Sequence, residues 1–160
     1  MAPTSDHWLL RLSADDWLRA ATTELRDGGA TTASRRAALS HARRAAGMAL
    51  NGVLVANFTN CRDLEATCTR WGRSYIDHLR ALATDVDLEA IQMPRSAAID
   101  ARELLRIPLQ NSQNLVQLSA SPHQAALRAL GLARSLVDAA SSAIDQLRRA
   151  TRSDDRSGLA

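Results

Sequence analysis

A chain of 160 residues has the length of a single domain and buries roughly two-thirds of its unfolded surface, which is enough to fold without staples. Hydrophobic residues make up 46% of it and aromatics only 3%, a profile dominated by alanine and leucine that favours packed helices over an aromatic-rich β sandwich. All 20 basic residues are arginine and face 17 acids, giving a net charge of +3 and a pI near 9.6. The balance admits anionic partners, while the absence of lysine also fits GC-rich coding.

Ser13 followed by Asp16 forms the pattern of a capping box, and Trp17, Leu18, Ala21 and Leu25 then recur at helical spacing. A first helix is predicted over 14–27, with Gly28-Gly29 as its C-cap. Thr32 or Ser34 caps a second helix carrying Leu39, Ala42, Ala46, Ala49, Leu50, Val53 and Leu54 towards Asn57. Its small residues, Ala45, Ala46, Gly47, Ala49 and Gly52, suit close approach by another helix of the same chain or of a second subunit.

Residues 57–60 read as a connection. Leu64, Trp71, Tyr75, Ile76, Leu79 and Leu82 mark a third helix reaching Ala83, with Gly72 as a possible break. After a connection over 85–93, Pro94 sits at the first turn of a short fourth helix whose buried face is Ile99, Leu104 and Leu105, and Pro108 stops it. Residues 110–119 read as a loop. Ser121-Pro122 opens a long fifth helix with Leu127, Leu130, Ala133, Val137, Ala140, Ile144 and Leu147, ending near Ala150. The expected architecture is all-α: an antiparallel bundle of about five helices over 1–150, followed by a flexible polar tail over 151–160.

No apolar run approaches the roughly 18–20 residues of a membrane span, since the greasiest stretch, 48–55, is broken by Asn51 and Gly52. Cys61 and Cys68 are too few for a disulfide framework, and the N-terminus lacks an apolar signal region, so a reducing cytoplasm is expected. With His78 the two cysteines match no standard zinc spacing. Ser40 beside His41 lacks a nucleophile elbow, and no phosphate-binding glycine loop is present. Neither a metal nor a cofactor is expected.

Trp17 to Ala21, Glu24-Leu25, and then the run from Ala37 to Val55 resemble the opening of HEPN domains, whose second helix pairs a histidine–alanine start with an alanine- and leucine-rich continuation. His78-Leu79 and the long closing segment 125–147 are similar to later parts of that family. The resemblance implies a four- or five-helix bundle, a homodimer, and a bacterial stress, toxin–antitoxin or defence setting, with a nucleotidyltransferase-type antitoxin as a possible protein partner and RNA as a possible ligand. Some members of the family cleave RNA without metal and others have no catalysis.

Catalytic members carry arginine, four to six residues, then histidine, with motifs from two protomers meeting in one site. Arg73 with His78 fits this pattern and is the resemblance's candidate catalytic pair; Arg36 with His41 and Arg35 with His41 fit it too. Histidine moves the 2′-hydroxyl proton in such chemistry, and arginine stabilises charge on the phosphorus oxygens. The sequence departs from the family pattern in its last long helix, where Arg128 and Arg134 have no histidine after them. Structural readings stand beside these: His41 as a hydrogen-bonded helix histidine, His7 and His123 as solvated residues at element starts.

Arg36, Arg43 and Arg44, with Arg35, Arg73 and Arg80, are the candidate phosphate- or RNA-binding surface, unless Asp15, Asp16, Glu24 and Asp27 neutralise it. Three functions therefore stand: an oligomeric interaction or RNA-associated module, a metal-independent ribonuclease, and a structural adaptor without a nucleic-acid role.

Overall fold

The structure is a computed structural model that describes residues 7–58, 61–84, 87–109 and 121–157, with the backbone alone at 61–65 and 154–157. Among the described residues there are six α-helices and no strand: α1 (Ala14–Ala30), α2 (Arg35–Asn57), α3 (Cys61–Trp71), α4 (Tyr75–Ala83), α5 (Arg95–Arg106) and α6 (Pro122–Ser157). A 3₁₀ turn over Trp8–Arg11 precedes them. The chain is an all-α bundle.

The helix starts are where side-chain oxygens can satisfy free backbone N–H groups. The Ser13 hydroxyl accepts from Asp16 N at 3.1 Å while the Asp16 carboxylate accepts from Ser13 N at 3.3 Å, the reciprocal pair predicted for α1. Ser34 caps α2 through Ala37 N, and Ser121 and Gln124 cap α6 in the same reciprocal manner, each bond 3.1 Å.

α2 is the axis of the molecule. Twelve of its residues are buried, from Ala38 to Leu54, on more than one face, because α1 and α6 flank it and α4 covers a further side. α5 packs on both α4 and α6 and closes the ring. Small residues set the spacing: a Cβ on Gly52 would stand 3.0 Å from the Ala14 carbonyl and 3.3 Å from Ile144 Cδ1, so α1 and α6 both reach the α2 backbone there. Leu39, Leu50 and Leu54 fill the remaining space and are fully buried, each contributing about 1.5–3 kcal/mol.

Several expectations need correction. α1 does not stop at Asp27; Gly28 lies inside it, at the crossing with α2 and α6, where a Cβ would be 2.6 Å from Leu130 Cδ2 and 3.0 Å from His41 Cβ. The glycine is there for close packing, and Thr31 ends the helix. The predicted third helix is two, α3 and α4, because Gly72 takes φ +87° and turns the chain between them. α6 continues past Ala150 to Ser157, its threonine and serine hydroxyls bonded back to carbonyls one turn earlier, so 151–157 is helical and not an irregular tail. Ile99 and Leu127, expected in the core, are 52% and 51% exposed. The loop predicted over 110–119 lies outside the described residues, as do 59–60, 85–86 and 158–160 of the other predicted connections and tail.

Candidate functional site

The first candidate pair is separated by burial. Arg73 is exposed on the turn before α4, whereas His78 is 1% exposed inside the bundle. Ser74 caps α4 through Asp77 N, which fixes the register that turns His78 inward with Leu79 and Leu82. His78 Nδ1 lies 2.7 Å from Asn51 Oδ1 and Nε2 lies 3.2 Å from the Gly72 carbonyl. The Trp8 ring covers it, with centroids 5.9 Å apart and planes 17° from parallel, and Trp8 meets Trp17 edge-on. Burial pushes the His78 pKa below the ordinary histidine value; the neighbouring His7 adds to that, against the Gly72 carbonyl and Asp77.

A neutral ring has one N–H and here faces two oxygen atoms. Donation from Nε2 to Gly72 leaves Nδ1 as an acceptor, which Asn51 satisfies once its amide is turned to present NH₂. Both nitrogens are then engaged within the protein, and neither is offered to a substrate.

The second candidate histidine has the opposite situation. His41, on α2, places Nδ1 2.7 Å from Glu24 Oε2 of α1, and Arg44 Nη2 lies 3.1 Å from the same oxygen. Nδ1 thus faces both the Glu24 carboxylate at 2.7 Å and Arg44 Nη2 at 3.1 Å, and Nε2 has no hydrogen-bond partner among the described residues. The His41 side chain is 21% exposed. Of the four acids expected to neutralise the arginines, Glu24 holds Arg44, while Asp15 pairs with Arg148, Asp16 with Arg19 and Asp27 with Arg26.

The arginines predicted to bind phosphate divide accordingly. Arg44 is engaged by Glu24. Arg43 Nη2 donates to the carbonyls of Leu105 at 3.0 Å and Ile107 at 2.9 Å, with Leu104 O at 3.5 Å, closing the C-terminal end of α5 where a cation is favoured. Its Nε is buried without a hydrogen-bond partner, and no carboxylate among the described residues pairs with it. Burial first, and then the charge of nearby Arg80, lower its pKa from the ordinary arginine value, though it stays charged. Arg80 is exposed and holds Asp77 at 3.4 Å. Arg36 is exposed at the start of the same helix.

Positions 36, 40, 43 and 47 recur at helical spacing, so they lie along one side of α2. Tyr75 lies over the last of these: a Cβ on Gly47 would stand 2.6 Å from Tyr75 Cβ and 2.8 Å from its carbonyl oxygen. Tyr75, which the periodicity placed on the apolar stripe of a helix, is 37% exposed.

His7, expected to be solvated, is half-buried. Its Nδ1 accepts from Leu9 N at 3.3 Å and its Nε2 lies 3.3 Å from Cys68 Sγ. The side chain of Cys61 is outside the described residues. Among the described residues no three histidine, cysteine or acidic side chains gather to hold a metal, and no helix is long and apolar enough to cross a membrane. The grooves beside Leu88, Glu89 and Met93 are lined by none of the candidate residues.

Sequence reasoning missed the partners more than the residues. Glu24 with His41, and Asn51 with His78, are 17 and 27 positions apart, and no local pattern joins them. The one available signal was Asn51 itself, a polar residue in an apolar run, which requires a buried partner.

No protein-family model, no curated protein and no solved structure matches this chain.

Proposed function

We propose that this chain is an RNA-associated helical interaction module, HEPN-like in its second helix and working as a homodimer in a bacterial stress or defence context, without catalysis at His78. The observation that carries the RNA association is Arg43. It is a half-buried guanidinium with no carboxylate partner among the described residues and with the charge of Arg80 near it, so its positive charge is left to attract an anion such as phosphate. Arg36 and Arg80 extend the positive charge on either side. The inward position of His78 supports the absence of catalysis there.

Binding of a fluorescent single-stranded RNA to the full-length chain, measured across salt concentrations, tests the proposal. The affinity should fall with salt, and Arg36→Ala and Arg80→Ala should each weaken it and reduce the salt slope by ~0.7 per lost phosphate contact. Wild-type protein that is folded and leaves RNA unbound at low salt removes the RNA role and leaves the structural adaptor.

A second reading is favoured by the His41 geometry: a ribonuclease in which Glu24 orients the imidazole and Nε2 accepts the 2′-hydroxyl proton. It predicts that RNA is cut without metal, that His41→Ala abolishes cutting, and that Glu24→Gln slows it. Intact RNA after incubation with protein that binds it excludes this reading.

A further inference from the structure

We propose that Tyr75 is a base-stacking platform on this surface and makes it select single-stranded RNA over duplex; the inference rests on the RNA association proposed above. Tyr75 is 37% exposed and packs by one side on Gly47 of the arginine-bearing helix α2. Arg43 lies one turn from Gly47 on the same side of α2, and Gly47 is the residue over which Tyr75 packs. Arg73, exposed and without an ion pair among the described residues, stands two positions before it. Cationic groups along a backbone track, with an aromatic face between them, are the elements that bind unpaired nucleotides: guanidinium groups take phosphates, and the ring takes a base that is free to leave its stack. Bases of a duplex remain stacked on each other, so the ring adds nothing to duplex affinity.

The platform is held in place. Gly47 has no side chain, so Tyr75 Cβ, its carbonyl oxygen and ring Cδ2 rest directly on α2, and the Ser74 cap fixes the first turn of α4. No hydrogen bond engages the Tyr75 hydroxyl among the described residues, and one edge of the ring, at Cδ2, packs on α2. A tyrosine used only to fill the core would be buried, as Leu79 and Leu82 are.

The test uses the full-length chain with a 12-nucleotide uridine-rich RNA, alone and annealed to its complement. Tyr75→Ala should weaken single-strand binding about 5- to 100-fold while leaving duplex binding unchanged, and Tyr75→Phe should restore it. Tyr75→Leu, which keeps apolar packing on Gly47, should behave like the alanine variant and guards against a folding defect. Tyr75 is the single tyrosine of the chain, so 3-fluorotyrosine gives one ¹⁹F resonance, and the single strand should shift it. Unchanged single-strand affinity in Tyr75→Ala and Tyr75→Leu, with weakened binding in Arg80→Ala, overturns the platform and leaves the RNA association standing. Failure of wild-type protein to bind either RNA overturns both.

Discussion

Trp8 lies nearly parallel on the imidazole of His78, and with Asn51 at one ring nitrogen and the Gly72 carbonyl at the other the ring is closed off from water. The folded protein therefore takes up a proton at His78 less readily than the unfolded chain, in which the group titrates near 6.5. Stability from this residue is full above pH 6.5 and is lost as the pH falls below it towards the depressed folded value. Denaturation midpoints between pH 7.5 and 5 should drop in the wild type, and His78→Gln should flatten that part of the profile; an unchanged slope in the variant excludes the effect.

Removing the cover exposes the same ring. Trp8→Ala should cost about 1–3 kcal/mol, from half-buried aromatic surface and the stacking contact, and should move the His78 titration, followed by NMR, upward towards 6.5. A titration that stays where it was would show that α2 and α4 alone keep water away.

Asn51 and His78 form a buried polar pair in which each satisfies the other. Asn51→Leu and His78→Leu should each destabilise by about 1–3 kcal/mol, because one polar group is left stranded. The double variant should be less damaged than the sum of the two. Urea unfolding of the four proteins in the cycle measures the coupling, and strict additivity would mean that the pair does not act as a unit.

Two glycines in helices should respond in opposite directions. Gly47→Ala drives a methyl into Tyr75 Cβ, its carbonyl oxygen and its ring, where neither helix can yield cheaply, and should destabilise by about 1–3 kcal/mol. A Cβ on Gly131 meets nothing within 4 Å, so Gly131→Ala should stabilise α6 by about 0.5–1 kcal/mol. Thermal unfolding of the two variants separates packing from propensity at once.

The helices were legible wherever a cap or a period announced them: the Ser13 box, Ser34, and Ser121-Pro122 all mark the starts of helices. Glycine was the ambiguous letter. Gly28 and Gly72 each follow a stretch of helical periodicity, yet one is a crossing point inside a helix and the other a left-handed turn, and only tertiary neighbours distinguish them. The 3₁₀ turn was invisible because four residues are too few to show a period, and Trp8 owes its place to partners 9 and 70 positions away. The arginine surface could be named from sequence, but its division could not, since Glu24 claims Arg44 and the end of α5 claims Arg43 only after folding.

The central position of α2 has a cost during synthesis. α1 and α2 leave the ribosome early and can pair as a hairpin, but the side of α2 that meets Ile144 waits for α6, the last helix to emerge. Until then the nascent chain presents a bare strip of alanine, valine and leucine to its surroundings. Translation that pauses before Pro122 should therefore leave a species recognised by chaperones, and the time it spends in their hands is set by the order of the helices along the message.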